Sequence, residues 1–355
     1  MSKDFFKSFI DDLGEVDTTV ASEGTSSAEF SGYIDSGSYT FNAVVSGSIF
    51  KGIPNNKALV IAGDPATGKT FFALGIIKHH LATNLKARVF YFDTESAVTN
   101  EMMTQRGIDL SRVAKSEPAT IERFRTVALK VLDTYATLAP EDRFPLLMVL
   151  DSLSALPSNK EVTDIGEGKD TKDMTKPGLI KGAFRVLRLK MGKLQVPFIV
   201  TSHVYAVIGA YVPTKEVAGG SGAKYAADTL LFLSKSKDKD DEKTQRGIVV
   251  HVRAMKSRLA RESAVVETRI LYDGGLDRYY GLLDHAVAAG IVKKVSNKVE
   301  FPDGTKVYEK KVLAHPERFF TQEILEKLDT YIQSIFTYTD PTGSGPVDSD
   351  EGEDE

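Results

Sequence analysis

Leu59-Val60-Ile61-Ala62-Gly63-Asp64-Pro65-Ala66-Thr67-Gly68-Lys69-Thr70-Phe71 joins an apolar run to an octapeptide of the form G-x-x-x-x-G-K-[ST], and helix-forming residues continue to Leu81. Strand, glycine loop and helix, in that order, are the setting this motif requires. Backbone N–H groups of such a loop converge on phosphate oxygens at the start of the helix. Lys69 neutralises the terminal phosphates, and the Thr70 hydroxyl completes a Mg²⁺ shell. Gly63 to Thr70 is therefore predicted to hold a nucleoside triphosphate, with Mg²⁺ arriving on the nucleotide.

Around this centre, short apolar runs alternate with helical stretches from Phe41 to about Leu283, the pattern of a mostly parallel sheet covered by helices. The predicted strands are Leu59–Ile61, Val89–Phe92, Leu146–Leu150, Phe198–Thr201, Thr229–Leu233 and Val249–Arg253. Leu146-Leu147-Met148-Val149-Leu150-Asp151 ends in a carboxylate, the usual companion of a phosphate loop, in which the Asp supports Mg²⁺. Tyr91-Phe92-Asp93-Thr94-Glu95 places a second acid, Glu95, at the same sheet edge, where a carboxylate can polarise the water that attacks a γ-phosphate. His203 follows the strand Phe198–Thr201. No histidine pair has metal-ligand spacing, and no nucleophile elbow supports Ser/His/Asp chemistry.

Two intervals break the alternation: Ser158 to Lys176, rich in Lys, Asp, Thr and Gly, and Val204 to Gly222, ending in Gly219-Gly220-Ser221-Gly222. Both follow strand ends, where open α/β sheets keep their working loops. Ahead of the core, Phe5, Phe6, Phe9, Ile10 and Leu13 share one helical face, and Thr18 to Ser38 reads as a Ser-, Thr- and Gly-rich linker. That apolar face has to find a partner beyond its own segment. After Asp284 the sequence predicts a helix, a hairpin pivoting on Pro302-Asp303-Gly304, and a helix over Thr321–Phe336. The expected divisions are an N-terminal arm (1–45), an ATPase core (46–284), a small C-terminal α+β region (285–338) and an acidic tail (339–355).

With 355 residues, 42% of them hydrophobic, the chain can bury one large core. It has no cysteine, which removes disulfides and thiolate sites and suits a reducing cytoplasm. No apolar run reaches membrane-spanning length, so the expected setting is cytoplasmic, with no membrane partner. The net charge of −4 conceals a division: seven of the 49 acids, and no base, lie in Asp340–Glu355, which leaves the body with 42 acids against 45 bases. A solvated tail accounts for this composition; so does an internal competitor for a basic surface.

From Ile34 to Phe336 the order of motifs resembles the RecA family of DNA strand-exchange recombinases, and more closely the UvsX recombinases of tailed phages. The matching segments begin with Ile34-Asp35-Ser36-Gly37-Ser38, the phosphate loop, Asp93-Thr94-Glu95 and Asp151-Ser152-Leu153-Ser154-Ala155-Leu156. They continue with Thr201-Ser202-His203, Gly219-Gly220-Ser221-Gly222-Ala223-Lys224-Tyr225, Lys256-Ser257-Arg258 and Ile270-Leu271-Tyr272-Asp273-Gly274-Gly275. The resemblance implies a RecA-type ATPase core that uses ATP and Mg²⁺, with Glu95 as catalytic base, Asp151 serving the metal and His203 at the γ-phosphate sensor position. RecA has Gln there, and His matches the phage branch. Lys256 and Arg258 are implied to reach the ATP of a neighbouring subunit, and Tyr272 to lie near the adenine. Met102 stands where RecA has an adenine-stacking tyrosine, a departure from the pattern.

On the same resemblance the two irregular intervals line a filament axis and hold DNA. Lys160, Lys169, Lys172 and Lys176 would meet phosphates, Ile208 or Tyr211 would wedge between bases, and Gly219 and Gly220 would close the second loop. The N-terminal helix resembles a filament-forming arm and the tail an autoinhibitory one. The implied partners are single- and double-stranded DNA, further copies of the chain in a helical filament, and single-strand-binding and mediator proteins. A hexameric helicase motor and a DNA-independent signalling ATPase are the other readings of the same core.

Overall fold

Alternate residues of the central strands pack into two different hydrophobic clusters, one on each face of the sheet. From Ala58–Gly63, Leu59 and Ile61 enter one cluster, while Ala58, Val60 and Ala62 enter the other. A strand buried on both faces reads as an unbroken apolar run, as this one does.

The computed structural model describes residues 2–13, 29–169, 173–206, 215–218, 221–236, 247–272 and 274–338. The chain opens with α1 (Ser2–Leu13), then β1 (Tyr33–Ile34), α2 (Tyr39–Ser46) and β2 (Ile53–Pro54). Next come β3 (Ala58–Gly63), α3 (Lys69–Thr83), β4 (Arg88–Asp93), α4 (Asn100–Gln105), β5 (Val113–Ser116), α5 (Ile121–Ala136) and β6 (Leu146–Asp151). They are followed by α6 (Asn159–Gly166), α7 (Lys176–Leu194), β7 (Phe198–Ala206), β8 (Lys215–Val217), α8 (Ser221–Ala226), β9 (Thr229–Ser236), β10 (Gly247–Lys256), β11 (Val265–Leu271) and β12 (Gly275–Leu276). The C-terminal part holds α9 (Leu282–Ala288), β13 (Lys293–Val295), β14 (Lys298–Glu300), β15 (Lys306–Tyr308), α10 (Glu309–Ala314) and α11 (Gln322–Phe336).

Ten strands form the main sheet in the order β12-β11-β10-β9-β3-β7-β6-β4-β5, with β8 paired to the end of β7. The stretch from β9 to β5 is parallel, and β10, β11 and β12 extend it antiparallel. All six predicted strands are present. On one face α5, α7 and α8 pack around Phe124, Phe184 and Phe198, whose rings stack or tilt 5.9–6.1 Å apart. On the other face lie α2, α3 and the C-terminal part.

Three predicted stretches differ in the structure. Residues 33–45, placed by sequence in the N-terminal arm, are inside the core. Tyr33 and Ile34 pair with Ile53 and Pro54, and every residue of α2 is buried behind its Ser38 cap. Serines here do not mark a linker: Ser36 and Ser38 are buried and bonded to Asn42 and Thr268. The interval 158–176 is not wholly irregular, because a capping box between Ser158 and Glu161 nucleates α6. The interval 204–222 holds a short hairpin stem, with Ala206 opposite Lys215 and Val204 opposite Val217.

The predicted C-terminal helix and hairpin are present, and a further strand, β13, joins the hairpin. This region is seated on the core: the Asp329 carboxylate accepts from Ser48 Oγ and Ile49 N, each at 2.7 Å, and Leu325, Leu328 and Ile332 join the cluster around α2. At the opposite end of the chain α1 exposes Phe6, Phe9 and Leu13. Among the described residues no helix is long and apolar enough to cross a membrane.

Candidate nucleotide site

Strand register brings the candidate residues to one edge of the sheet. Gly63 lies beside His203, and Asp93 beside Asp151, so the phosphate loop, Glu95, Asp151 and His203 all emerge where β3, β4, β6 and β7 end. A cavity of about 540 Å³ lined by Tyr33, His80, Tyr135, Arg143 and Gln195 contains none of these residues. It opens at the other ends of β4, β6 and β7.

Two glycines make the loop possible. A Cβ on Gly63 would stand 2.7 Å from Thr67 Oγ1 and 2.9 Å from Leu233 O, and Gly68 has φ +88°, a conformation that costs other residues. Between them Pro65, Ala66 and Thr67 complete the turn, with Thr67 Oγ1 donating to Asp64 O at 2.8 Å. Gly68 caps α3 without a side chain, and the first helical bond is Phe72 N–H to Gly68 O. The N–H groups of Gly68, Lys69, Thr70 and Phe71 find no acceptor among the described residues, the arrangement that an anion satisfies at a helix start.

Lys69 is 7% exposed and its Nζ donates to the carbonyls of Gly63 and Asp64, at 3.0 and 2.9 Å. Burial pulls its pKa down, opposed by the nearby carboxylates of Glu95, Asp151 and Asp64. Lys69 Nζ also stands 3.3 Å from His203 Nδ1. An ammonium only donates, so Nδ1 accepts and the remaining proton sits on Nε2, which faces Glu95 Oε1 at 3.5 Å. His203 thus spans the phosphate lysine and the carboxylate at the next strand end.

Glu95 is held by a relay absent from the sequence expectations. Ser152 Oγ donates to Glu95 Oε1 at 2.6 Å and lies 2.9 Å from Ser154 Oγ, which accepts the backbone N–H of His203 at 3.1 Å. Glu95 Oε2 has no partner among the described residues. Asp151 is buried and takes the Tyr91 hydroxyl at 2.8 Å on one oxygen and the Thr201 hydroxyl on the other. Tyr91 in turn has its pKa driven far up by burial and by the Asp151 charge. The two serines follow Asp151 in alternation, a pattern visible in sequence; the Tyr91 and Thr201 bonds depend on neighbouring strands and are not. Asp93 plays a structural part, accepting from the N–H groups of Glu95, Ala97 and Val98 and pairing with Lys115 at 3.0 Å.

Lys256 and Arg258 stand apart from these residues. Lys256 Nζ closes the end of α8 on the carbonyls of Lys224 (3.1 Å) and Ala227 (2.6 Å), and Arg258 Nε lies 3.6 Å from Asp228. Asp228 accepts the N–H of Ala58, the first residue of β3, so this cluster sits at the opposite end of the strand from Gly63. Five residue steps at about 3.3 Å each put roughly 16 Å of strand between them. Tyr272 is half-exposed just beyond Ile270, whose side chain abuts Gly68, which brings Tyr272 near the start of α3. Met102 packs against the core cluster, and the Arg106 guanidinium covers Phe71 at 4.4 Å.

Of the candidate DNA residues, Lys160 is exposed on α6, Lys169 pairs with Glu167 at 2.5 Å, and Lys176 pairs with Glu161 at 3.0 Å. Lys172, Ile208, Tyr211, Gly219, Gly220 and the acidic tail lie outside the described residues.

Comparison with known proteins agrees with this architecture. The chain is 29% identical over 256 residues to a recombination and repair protein of Enterobacteria phage T4, covering 72% of this chain and 63% of that protein's length. It is 25% identical over 254 residues to the RecA protein of Paracoccus denitrificans, covering 71% and 68%. The crystal structure of the RadB recombinase superposes with a TM-score of 0.50 at 19% identity, over 69% of this chain and 99% of that one, and shares its fold. The RecA N-terminal domain model matches residues 13–277, so a phosphate loop on a mostly parallel sheet, with its acids and His203 at one edge, is here the core of a member of the RecA family.

Proposed function

We propose that the chain is an ATP-dependent DNA recombinase that assembles as a helical filament on single-stranded DNA, pairs it with homologous duplex and exchanges strands. The observation that carries this reading is His203, in contact range of both Lys69 and Glu95 and continuous with the hairpin stem that starts the second loop. A residue so placed relays the state of the nucleotide to the loop that would hold DNA.

The residues fit ATP with Mg²⁺. The free N–H groups at the start of α3 and the Lys69 ammonium suit the phosphates, and Thr70 and Asp151 offer a hydroxyl and a carboxylate to the metal. Asp151 already accepts two hydroxyls, so it would act through water. Among the described residues no cluster of three or more acidic or histidine side chains would hold a metal by itself, so the remaining ligands would be phosphate oxygens and water. Bound Mg²⁺ supplies charge neutralisation at the phosphates. Glu95, fixed through Oε1 by Ser152, keeps Oε2 to orient the attacking water and take its proton. Lys256 and Arg258, too far along β3 to serve their own loop, act on the ATP of the adjacent copy.

Electron microscopy of the protein with and without single-stranded DNA and ATP tests the reading. Long helical filaments that depend on both are expected. Closed rings that separate strands without homology would instead assign the core to a helicase.

A further inference from the structure

The phosphate loop carries an acid. Across Gly63–Thr70 the formal charge is zero, Asp64 cancelling Lys69, although the loop is built to receive a polyanion. The field of Asp64 reaches Lys69, and a carboxylate on this loop opposes phosphate binding by like-charge repulsion.

The structure supplies the compensating charge from elsewhere. Lys215 Nζ stands 2.5 Å from Asp64 Oδ2, with both side chains about half exposed. Lys215 is the first residue of β8, opposite Ala206 in the hairpin stem that β7 and β8 form, and the stem is fastened at its base by Ala218 N–H to His203 O at 2.8 Å. Tyr205 and Glu216, on facing strands, add a hydroxyl-to-carboxylate bond at 3.2 Å. The ammonium is therefore held in place by the stem of the second loop, not by the nucleotide core.

We propose that Lys215 is a nucleotide-positioning residue: by neutralising Asp64 it makes the charge of the phosphate site depend on the seating of the hairpin stem. This rests on the ATP and DNA reading above. A strand that engages the second loop and shifts the stem moves Lys215 relative to Asp64 and changes nucleotide affinity. By linkage the nucleotide changes DNA affinity by the same factor. The path differs from the one through the His203 imidazole, since it acts through the charge of Asp64 at the front of the loop and not through a contact with Glu95.

A double-mutant cycle tests it. Binding of a fluorescent, non-hydrolysable ATP analogue with Mg²⁺ is titrated for the parent, Lys215→Ala, Asp64→Ala and the double variant, each with and without a thymidine oligonucleotide. Lys215→Gln and Asp64→Asn serve as milder replacements, and thermal melts confirm folding. Lys215→Ala should weaken nucleotide binding about three- to fivefold, the scale of a partly exposed charge pair, and should have no further effect once Asp64 is Ala. The change in nucleotide affinity caused by the oligonucleotide should shrink in both single variants.

Equal weakening by Lys215→Ala in both backgrounds, no weakening in either, or an unaltered oligonucleotide effect would overturn the inference. The parent titrations isolate the underlying reading. A parent that binds nucleotide and oligonucleotide while the cycle is additive sinks only the role of Lys215; a parent that binds neither sinks the recombinase reading as well.

Discussion

At the scale of single residues, two histidines with opposite fates show how placement decides chemistry. His203 is partly exposed between a lysine and a carboxylate, whereas His80 is buried in α3 and its Nε2 has no hydrogen-bond partner among the described residues. Burial, with His79 and Arg112 adding to it, pushes the His80 pKa down to about 4 from an ordinary 6.5. Between those values the unfolded chain binds a proton that the folded chain refuses, so stability is complete above about 6.5 and falls as pH drops towards 4. Urea unfolding across this window should show a loss that His80→Gln reduces by about 3–4 kcal/mol, taking about 1.4 kcal/mol per pKa unit. An identical pH slope in the variant would mean that His80 binds its proton alike in the folded and the unfolded chain.

At the scale of elements, the strand ends are where sequence and structure agree most closely. An apolar run closed by Gly63, Asp93 or Asp151 announces both its buried length and its exit point, because strands covered on both faces tolerate no polar interruption. α6 is less legible: the Ser158–Glu161 capping box is a real signal, but the helix is short and its two large apolar residues, Val162 and Ile165, are exposed, so no buried face marks it. β1 and α2 do not stand out in the sequence because the serines around them bond inward, which composition does not report. The relay from Glu95 through Ser152 and Ser154 to His203 joins three strand ends and exists only once the register is set.

Lys256, at the end of β10, and Arg258, just beyond it, give the prediction that belongs to this scale. Lys256→Ala with Arg258→Ala should bind nucleotide near the parent level yet hydrolyse it at background rate. Mixing that protein with Glu95→Gln should restore part of the activity, at junctions where an intact carboxylate faces intact cations. Mixed assemblies that stay inactive would place both sets within one subunit.

At the scale of the whole molecule, charge is divided along the chain: a mildly basic body and a tail whose last ten residues hold six carboxylates and no base. Deleting Pro346–Glu355 should strengthen binding to single-stranded DNA, most at low salt. The tail can compete only by lying within a screening length of about 10 Å at 0.1 M salt, and phosphate contacts themselves weaken as salt rises. Titrating labelled single-stranded DNA against intact and truncated protein over a salt series measures this. Equal affinity throughout would leave the tail a solubility appendage. Its charge was readable from sequence, while the seating of the C-terminal part through Asp329 was not, since one acid in an amphipathic helix gives no hint that it caps Ser48 and Ile49.

The roughly 16 Å of β3 that separates Gly63 from the Asp228 cluster also gives the molecule a direction. If each copy lends Lys256 and Arg258 forward and receives its neighbour's from behind, the contact is head-to-tail and does not close on itself. A row of n copies then contains n − 1 finished sites, and the unfinished one always falls at the same end. On the proposed function that terminal copy would keep its nucleotide intact while the others turned theirs over, so the two tips of a row would age differently and a solitary copy would idle.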